Sequence, residues 1–240
     1  MIDAWLSHMR RGDFAAAWAV SDAILAEHAG VPCFHLPRHE QWVWDGTPLA
    51  NKRVLIRCYH GLGDTIQFAR FFPLVNAIAA ETTVWAQASL LPLLETVPGM
   101  PRLLPLHGGT PEVEYDVDVE SMELTHVFRT TLDTLPKRIP YFDVKPMRIP
   151  RNRRLAVGVN LQSGDWDPNR SIAVDFELPD VDVYRLELGA DPRTADPLST
   201  ARLIRALDVV ISVDTMTAHL AGALGIPTFT LLPFYCDWRW

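Results

Sequence analysis

The 240-residue sequence predicts an α/β protein of two doubly wound halves behind a short N-terminal helical hairpin. Three observations carry that class. Between Leu207 and Leu232 a β-branched run, Val209 to Val213, gives way to polar Asp214 and Thr215 and then to small apolar residues at helical spacing. Gly225 and Pro227 stop that helix, and a second apolar run follows, which makes one parallel βαβ unit. In the first half, Arg53 to Cys58 reads as a strand that enters a turn bounded by Gly61 and Gly63 and continues into a helix. Between the two lies PMRIPRNRR at 146–154, a proline- and arginine-rich linker separating residues 31–150 from 151–240.

Composition bounds what such a chain can do. It is 48% hydrophobic and 21% charged, enough for sizeable cores. A net charge of −7 with no basic run argues against nucleic acid or an anionic membrane surface as partner, although a small anion needs only a local positive site. Cys33, Cys58 and Cys236 are odd in number and far apart, which fits a reducing, cytoplasmic setting. No apolar stretch approaches the roughly twenty residues of a membrane span, and Asp3 interrupts any signal-like start.

Taken in order, Trp5, Leu6 and Met9, then Phe14, Ala17, Trp18, Ile24 and Leu25, mark two amphipathic helices broken at Gly12 within residues 1–30. The pair is read as a cap and a docking surface for a protein partner. Residues 30–52 form an irregular linker whose His35 and His39 lack the companions of a metal site. After the strand at 53–58, the spacing predicts a helix from Thr65 to about Ala80, strands at 82–86 and 102–106, and a helix at 90–97. Asp116, Asp118 and Glu120 alternate with Val117 and Val119, the pattern of a strand with one solvated face. Leu155 to Leu161 opens the second half, followed by a strand at 181–188 and a helix at 198–207.

Candidate functional residues collect where strands end. The turn after Val213 offers Asp214, Thr215, Met216, Thr217 and His219 around a helix start, whose free N–H groups suit a phosphate. Asp214 or Thr215 would equally serve as a plain helix cap and His219 as a buried core histidine, so the local pattern leaves both readings open. The loop from Gln162 to Ser171, with Gln162, Ser163 and Arg170, is a second anion-binding candidate, because guanidinium pairs with phosphate oxygens. In the first half Asp64 stands at or beside a helix N-terminus after Gly61 and Gly63, a position that capping alone explains. The turn lacks the third glycine of a dinucleotide fingerprint, which disfavours NAD. His60, His126 and Arg129 are candidates for holding an acceptor.

GLGDTIQFARFFPLV at 61–75, ALDVVISVDTMTAHLAGALGIPTFTLLPF at 206–234, NRSI at 169–172 and the final DWRW together resemble the heptosyltransferase-type glycosyltransferases of family nine, and among them the tetratricopeptide-linked bacterial relatives. The resemblance implies a GT-B fold, with two Rossmann-like halves facing a cleft. It further implies an acceptor on residues 31–150, a nucleotide-diphosphate sugar on residues 151–240, and neither metal nor cofactor. Asp64 matches the family's general base; Asp214, Thr215 and His219 match its donor-binding motif. Met216 replaces the glycine that many relatives have after the Asp-Thr pair, and the C-terminal half is short or truncated. The acceptor would be a glycan, a lipopolysaccharide core or a protein. A catalytically inactive nucleotide-binding or scaffold protein of the same fold is the alternative.

Overall fold

The computed structural model describes residues 2–164, 167–173 and 178–240. Two helices open the chain, α1 (Ile2–Arg10) and α2 (Phe14–His28). Gly12 turns between them at φ +71, a left-handed conformation that a side chain resists. Asp13 then caps α2 by accepting the N–H of Ala16 at 3.3 Å. Met9, Ala17 and Trp18 form the seam of the hairpin, with Trp5 and Phe14 beside them. Trp18 also ties the hairpin to the rest of the chain, donating from Nε1 to the Thr130 carbonyl at 3.0 Å.

The first half contains β1 (Arg53–Arg57), α3 (Leu62–Phe68), α4 (Phe72–Ile78), β2 (Glu81–Ala86), α5 (Leu91–Leu94), β3 (Arg102–Pro105), β4 (Val117–Glu120) and α6 (Leu124–Val127). Its four strands are parallel, in the order β3-β2-β1-β4. The second half contains β5 (Leu155–Asn160), β6 (Val181–Arg185), α7 (Pro197–Ile204), β7 (Val209–Val213), α8 (Met216–Ala223) and β8 (Thr228–Leu231). These strands are also all parallel, in the order β6-β5-β7-β8.

Strands covered on both faces should read as apolar runs, and Val54, Leu55 and Ile56 of β1 and Val84, Trp85 and Ala86 of β2 are all buried. Two of the expected helices are interrupted. The stretch expected as one helix from 65 to 80 begins three residues earlier, at Leu62, and splits into α3 and α4. Pro73 sits in the first turn of α4, where its missing N–H costs nothing, and a tight turn at Ala69–Phe71 precedes it. Pro92 likewise starts α5, which ends at Leu94 rather than at Val97. The solvated acidic face expected on β4 is also corrected. Glu120 is 2% exposed, and Asp118 accepts from Arg57 Nε at 2.8 Å while that arginine is itself buried. Arg57 pairs in register with Glu120, so Asp118 is its diagonal neighbour on the adjacent strand.

Both sheets reverse their winding once. In the first, β2 and β3 build outward on one side of β1 and β4 returns on the other; in the second, β6 flanks β5 on one side and β7 on the other. Crevices at such reversal points, beyond the carboxyl ends of the strands, are where open parallel sheets hold ligands. The loops after β1, β4, β5 and β7 therefore define where a site belongs. Among the described residues, no helix is long and apolar enough to cross a membrane.

Candidate functional site

The loop after β1 delivers Tyr59, His60 and Gly61 to the start of α3. Asp64, the third residue of that helix, reaches back and accepts the Gly61 N–H on Oδ2 at 2.9 Å. Its other oxygen, Oδ1, accepts from Arg239 Nη1 at 2.5 Å. Behind the loop, at the end of β4, the Glu120 carboxylate accepts from the backbone N–H groups of Tyr59 (3.2 Å) and Met122 (2.6 Å) and from Ser121 Oγ (2.9 Å). Burial pushes the Glu120 pKa up to about 7. His60 Nε2 lies 3.9 Å from the same carboxylate, and burial lowers the pKa of its ring.

In the second half Thr215 caps α8 and accepts the N–H of Thr217 at 3.3 Å. Thr217 is buried and its hydroxyl accepts from Asn160 Nδ2, at the end of β5, at 2.9 Å. Across the reversal point, Arg170 Nη1 donates to the Asp214 carbonyl at 2.9 Å and stands 3.7 Å from its carboxylate. Arg170 Nε is buried without a hydrogen-bond partner among the described residues. Gln162 is positioned by its own N–H, which Asn160 Oδ1 accepts at 3.0 Å, while the Ser163 and Ser171 hydroxyls pair at 2.9 Å. Asp165 and Trp166 of this loop lie outside the described residues.

The two groups of residues meet at Gly63. A Cβ placed there would fall 2.6 Å from His219 Cδ2 and 3.3 Å from Met216 Cα, so only glycine lets α3 come this close to α8. At this point the halves touch, where the family resemblance implies a cleft between them. His219 sits 3.9 Å from Asp214 Oδ1 with its ring 4.8 Å from that of Trp240. Burial, and then the charge of Arg239, push its pKa down to about 4, which leaves a neutral imidazole at physiological pH. Arg239 completes the cluster. Its Nε and Nη2 are held by Asp237 at 2.8 and 3.3 Å, and Nη1 serves both Asp64 and Gln67 Oε1, the latter at 3.0 Å. Sequence reasoning missed Arg239 and Asp237 as site residues. The Asp-x-Arg spacing allows their mutual pair, but nothing along the chain signals the contact with a carboxylate 175 residues away.

His126 and Arg129 are engaged elsewhere. His126 Nε2 pairs with Asp22 Oδ1 at 2.9 Å, and Arg129 makes a two-pronged contact with the same carboxylate at 2.9 and 2.7 Å. Those bonds fasten α2 to the first half. His126 also lines a pocket of about 330 Å³ walled by Trp5, Trp18, Trp44 and Trp238.

No protein-family profile matches the chain. It is 27% identical over 245 residues to the protein FlbA of Caulobacter vibrioides; the match covers 78% of this chain and only 40% of that relative. Among solved structures it superposes on the ADP-heptose LPS heptosyltransferase II of E. coli with a TM-score of 0.50 and 12% identity, covering 74% of this chain and 84% of the other. A glycosyl transferase of family 9 from Veillonella parvula gives 0.49 at 11% identity, covering 77% and 81%. The chain has the fold of the heptosyltransferases.

Proposed function

We propose that the chain is an inverting glycosyltransferase of the GT-B type, moving a sugar from a nucleotide-diphosphate donor to a hydroxyl acceptor with Asp64 as general base. One observation carries this reading: the chain has the fold of the ADP-heptose LPS heptosyltransferase II of E. coli, and within that fold Gly63, packed on Met216 and His219, brings the turn of Asp64 beside α8. A carboxylate from one sheet thus stands beside a helix N-terminus of the other.

The chemistry follows from that placement. The donor's diphosphate would lie against the opening N–H groups of α8, with Thr215, Thr217, Gln162 and Ser163 around it and Arg170 opposite. As the anomeric carbon is attacked, its bond to the diphosphate oxygen breaks and negative charge grows on the leaving group. Fixed dipoles and the guanidinium stabilise that charge. Asp64 takes the proton from the attacking hydroxyl, and the Gly61 N–H holds its carboxylate in the required orientation. His219, being neutral, adds a hydrogen-bonding edge without a competing charge. In the loop behind, Glu120 fixes the backbone of Tyr59, and His60, beside that carboxylate, is assigned to the acceptor in this reading. A glycan or protein acceptor would approach over the first half, with the hairpin offering a surface to a protein partner. No metal or organic cofactor is assigned a role, and a cytoplasmic location suits a nucleotide-sugar substrate.

Transfer and hydrolysis of a panel of nucleotide sugars test this directly. Asp64→Ala is expected to lower turnover by about 10²- to 10⁴-fold while nucleotide binding persists. Turnover unchanged in that variant removes the base. A second reading, a nucleotide-binding or scaffold protein without turnover, is favoured by the ion pair that occupies Asp64. It predicts nucleotide binding with no transfer to any acceptor.

A further inference from the structure

Arg239 lies beside Asp64 and Gln67 of α3, and its hydrogen bonds are of two kinds. The Nε–Nη2 edge is gripped by Asp237, two residues away in the same tail, at 2.8 and 3.3 Å. Nη1 faces across the seam to Asp64 and Gln67. The fixed edge keeps the guanidinium in place whatever Nη1 does. The adjacent residue, Trp240, packs on His219 in α8, so this cation sits between the candidate base and the helix start that would receive phosphate. Charge makes the position more telling: the Arg239 guanidinium is in direct contact with two carboxylates, those of Asp64 and Asp237, while His219 is neutral. A diphosphate entering here meets two carboxylates, and Arg239 can offer it Nη1 without leaving Asp237.

We propose that Arg239 is a diphosphate-binding residue that exchanges partners: it holds Asp64 while the site is empty and passes Nη1 to a phosphate oxygen when a nucleoside diphosphate enters. The proposal rests on the donor site described above and adds a coupling to it. Donor binding frees one oxygen of Asp64, so the base becomes available to an acceptor hydroxyl only when there is a sugar to transfer. Arginine suits the task because its planar fork can keep one bidentate contact while the remaining nitrogen changes partner.

Calorimetric titration of the full chain with ADP and UDP, and with AMP and UMP as controls, tests the exchange. Arg239→Gln is expected to weaken both diphosphates at least tenfold and both monophosphates less than twofold, with Arg239→Lys between it and the unaltered protein. Asp64→Asn, which removes the competing charge, is expected to tighten the diphosphates severalfold and leave the monophosphates unchanged. Diphosphate affinity unaltered in Arg239→Gln, or mono- and diphosphate weakened alike, overturns the inference while leaving the donor site intact. If the unaltered chain binds no nucleotide, the donor site falls and this inference with it. Should Arg239→Gln fail to fold, as judged by circular dichroism, the Asp64→Asn titration decides alone: no tightening overturns the exchange.

Discussion

His219 and Glu120 are both buried and ionisable, and they make stability depend on pH in opposite directions. His219 has a folded pKa of about 4, below the ordinary histidine value near 6.5. Its contribution is present above about pH 6.5 and is lost as the pH falls toward 4, because the unfolded chain takes up the proton first. By pH 5 that amounts to about 2 kcal/mol. Urea denaturation of His219→Gln should therefore lose less stability between pH 7 and 5 than the unaltered chain; equal losses would show that the ring titrates normally. Glu120 works the other way, with a folded pKa of about 7 against an ordinary value near 4.5. Its contribution is complete below about pH 4.5 and disappears as the pH rises through 7. Glu120→Gln should gain on the unaltered chain in the same assay between pH 5 and 8. Gly61, Gly63 and Thr215 made the turns and helix starts around Asp64 and the α8 motif legible in the sequence, whereas the roles expected of those residues came from the family resemblance. Arg239 was not legible, since its role depends on which strands the chain places side by side.

Contact between α3 and α8 is the element-level feature on which the site depends. Gly63→Ala would drive a methyl group into the ring of His219 and toward the backbone of Met216, and backbone cannot step aside as a flexible side chain can. We expect a loss of about 1–3 kcal/mol in thermal or denaturant unfolding, typical of an overfilled core. An unchanged midpoint would mean that the helices separate freely. The hairpin is held by a lighter tie. Asp22 is half exposed, so Asp22→Asn should cost less than about 1 kcal/mol globally. Amide exchange in residues 2–28 should nonetheless speed up, because the contacts to both Arg129 and His126 weaken together. Element existence and order could be read from periodicity and turn residues. What could not be read was the split at Pro73, where proline opens a second helix instead of merely ending the first. The burial of the acidic strand was equally hidden, because the arginine that pays for it stands on β1.

At the scale of the whole molecule, two parallel sheets each reverse their winding once, and side chains from beyond those reversals meet where α3 packs on α8. The two strand series that build the two sheets were legible from the strand-and-turn spacing. The contact at Gly63 was not, because it depends on a missing side chain there and on residues 237–240, far along the chain from Asp64. If the seam is where a nucleotide sits, ADP or UDP should slow amide exchange in 59–66 and in 214–219 together; slowing confined to the second stretch would separate the nucleotide from the candidate base. The tail has one more consequence. Trp238 packs edge-on against Trp5 of α1 at 5.3 Å, Arg239 grips α3, and Trp240 rests on α8. Successive Cα atoms are only about 3.8 Å apart, so these three anchorages share almost no slack. Trp5→Ala should therefore loosen the grip on the Asp64 carboxylate, read as faster amide exchange in 61–66; unchanged exchange there would uncouple the hairpin from the seam.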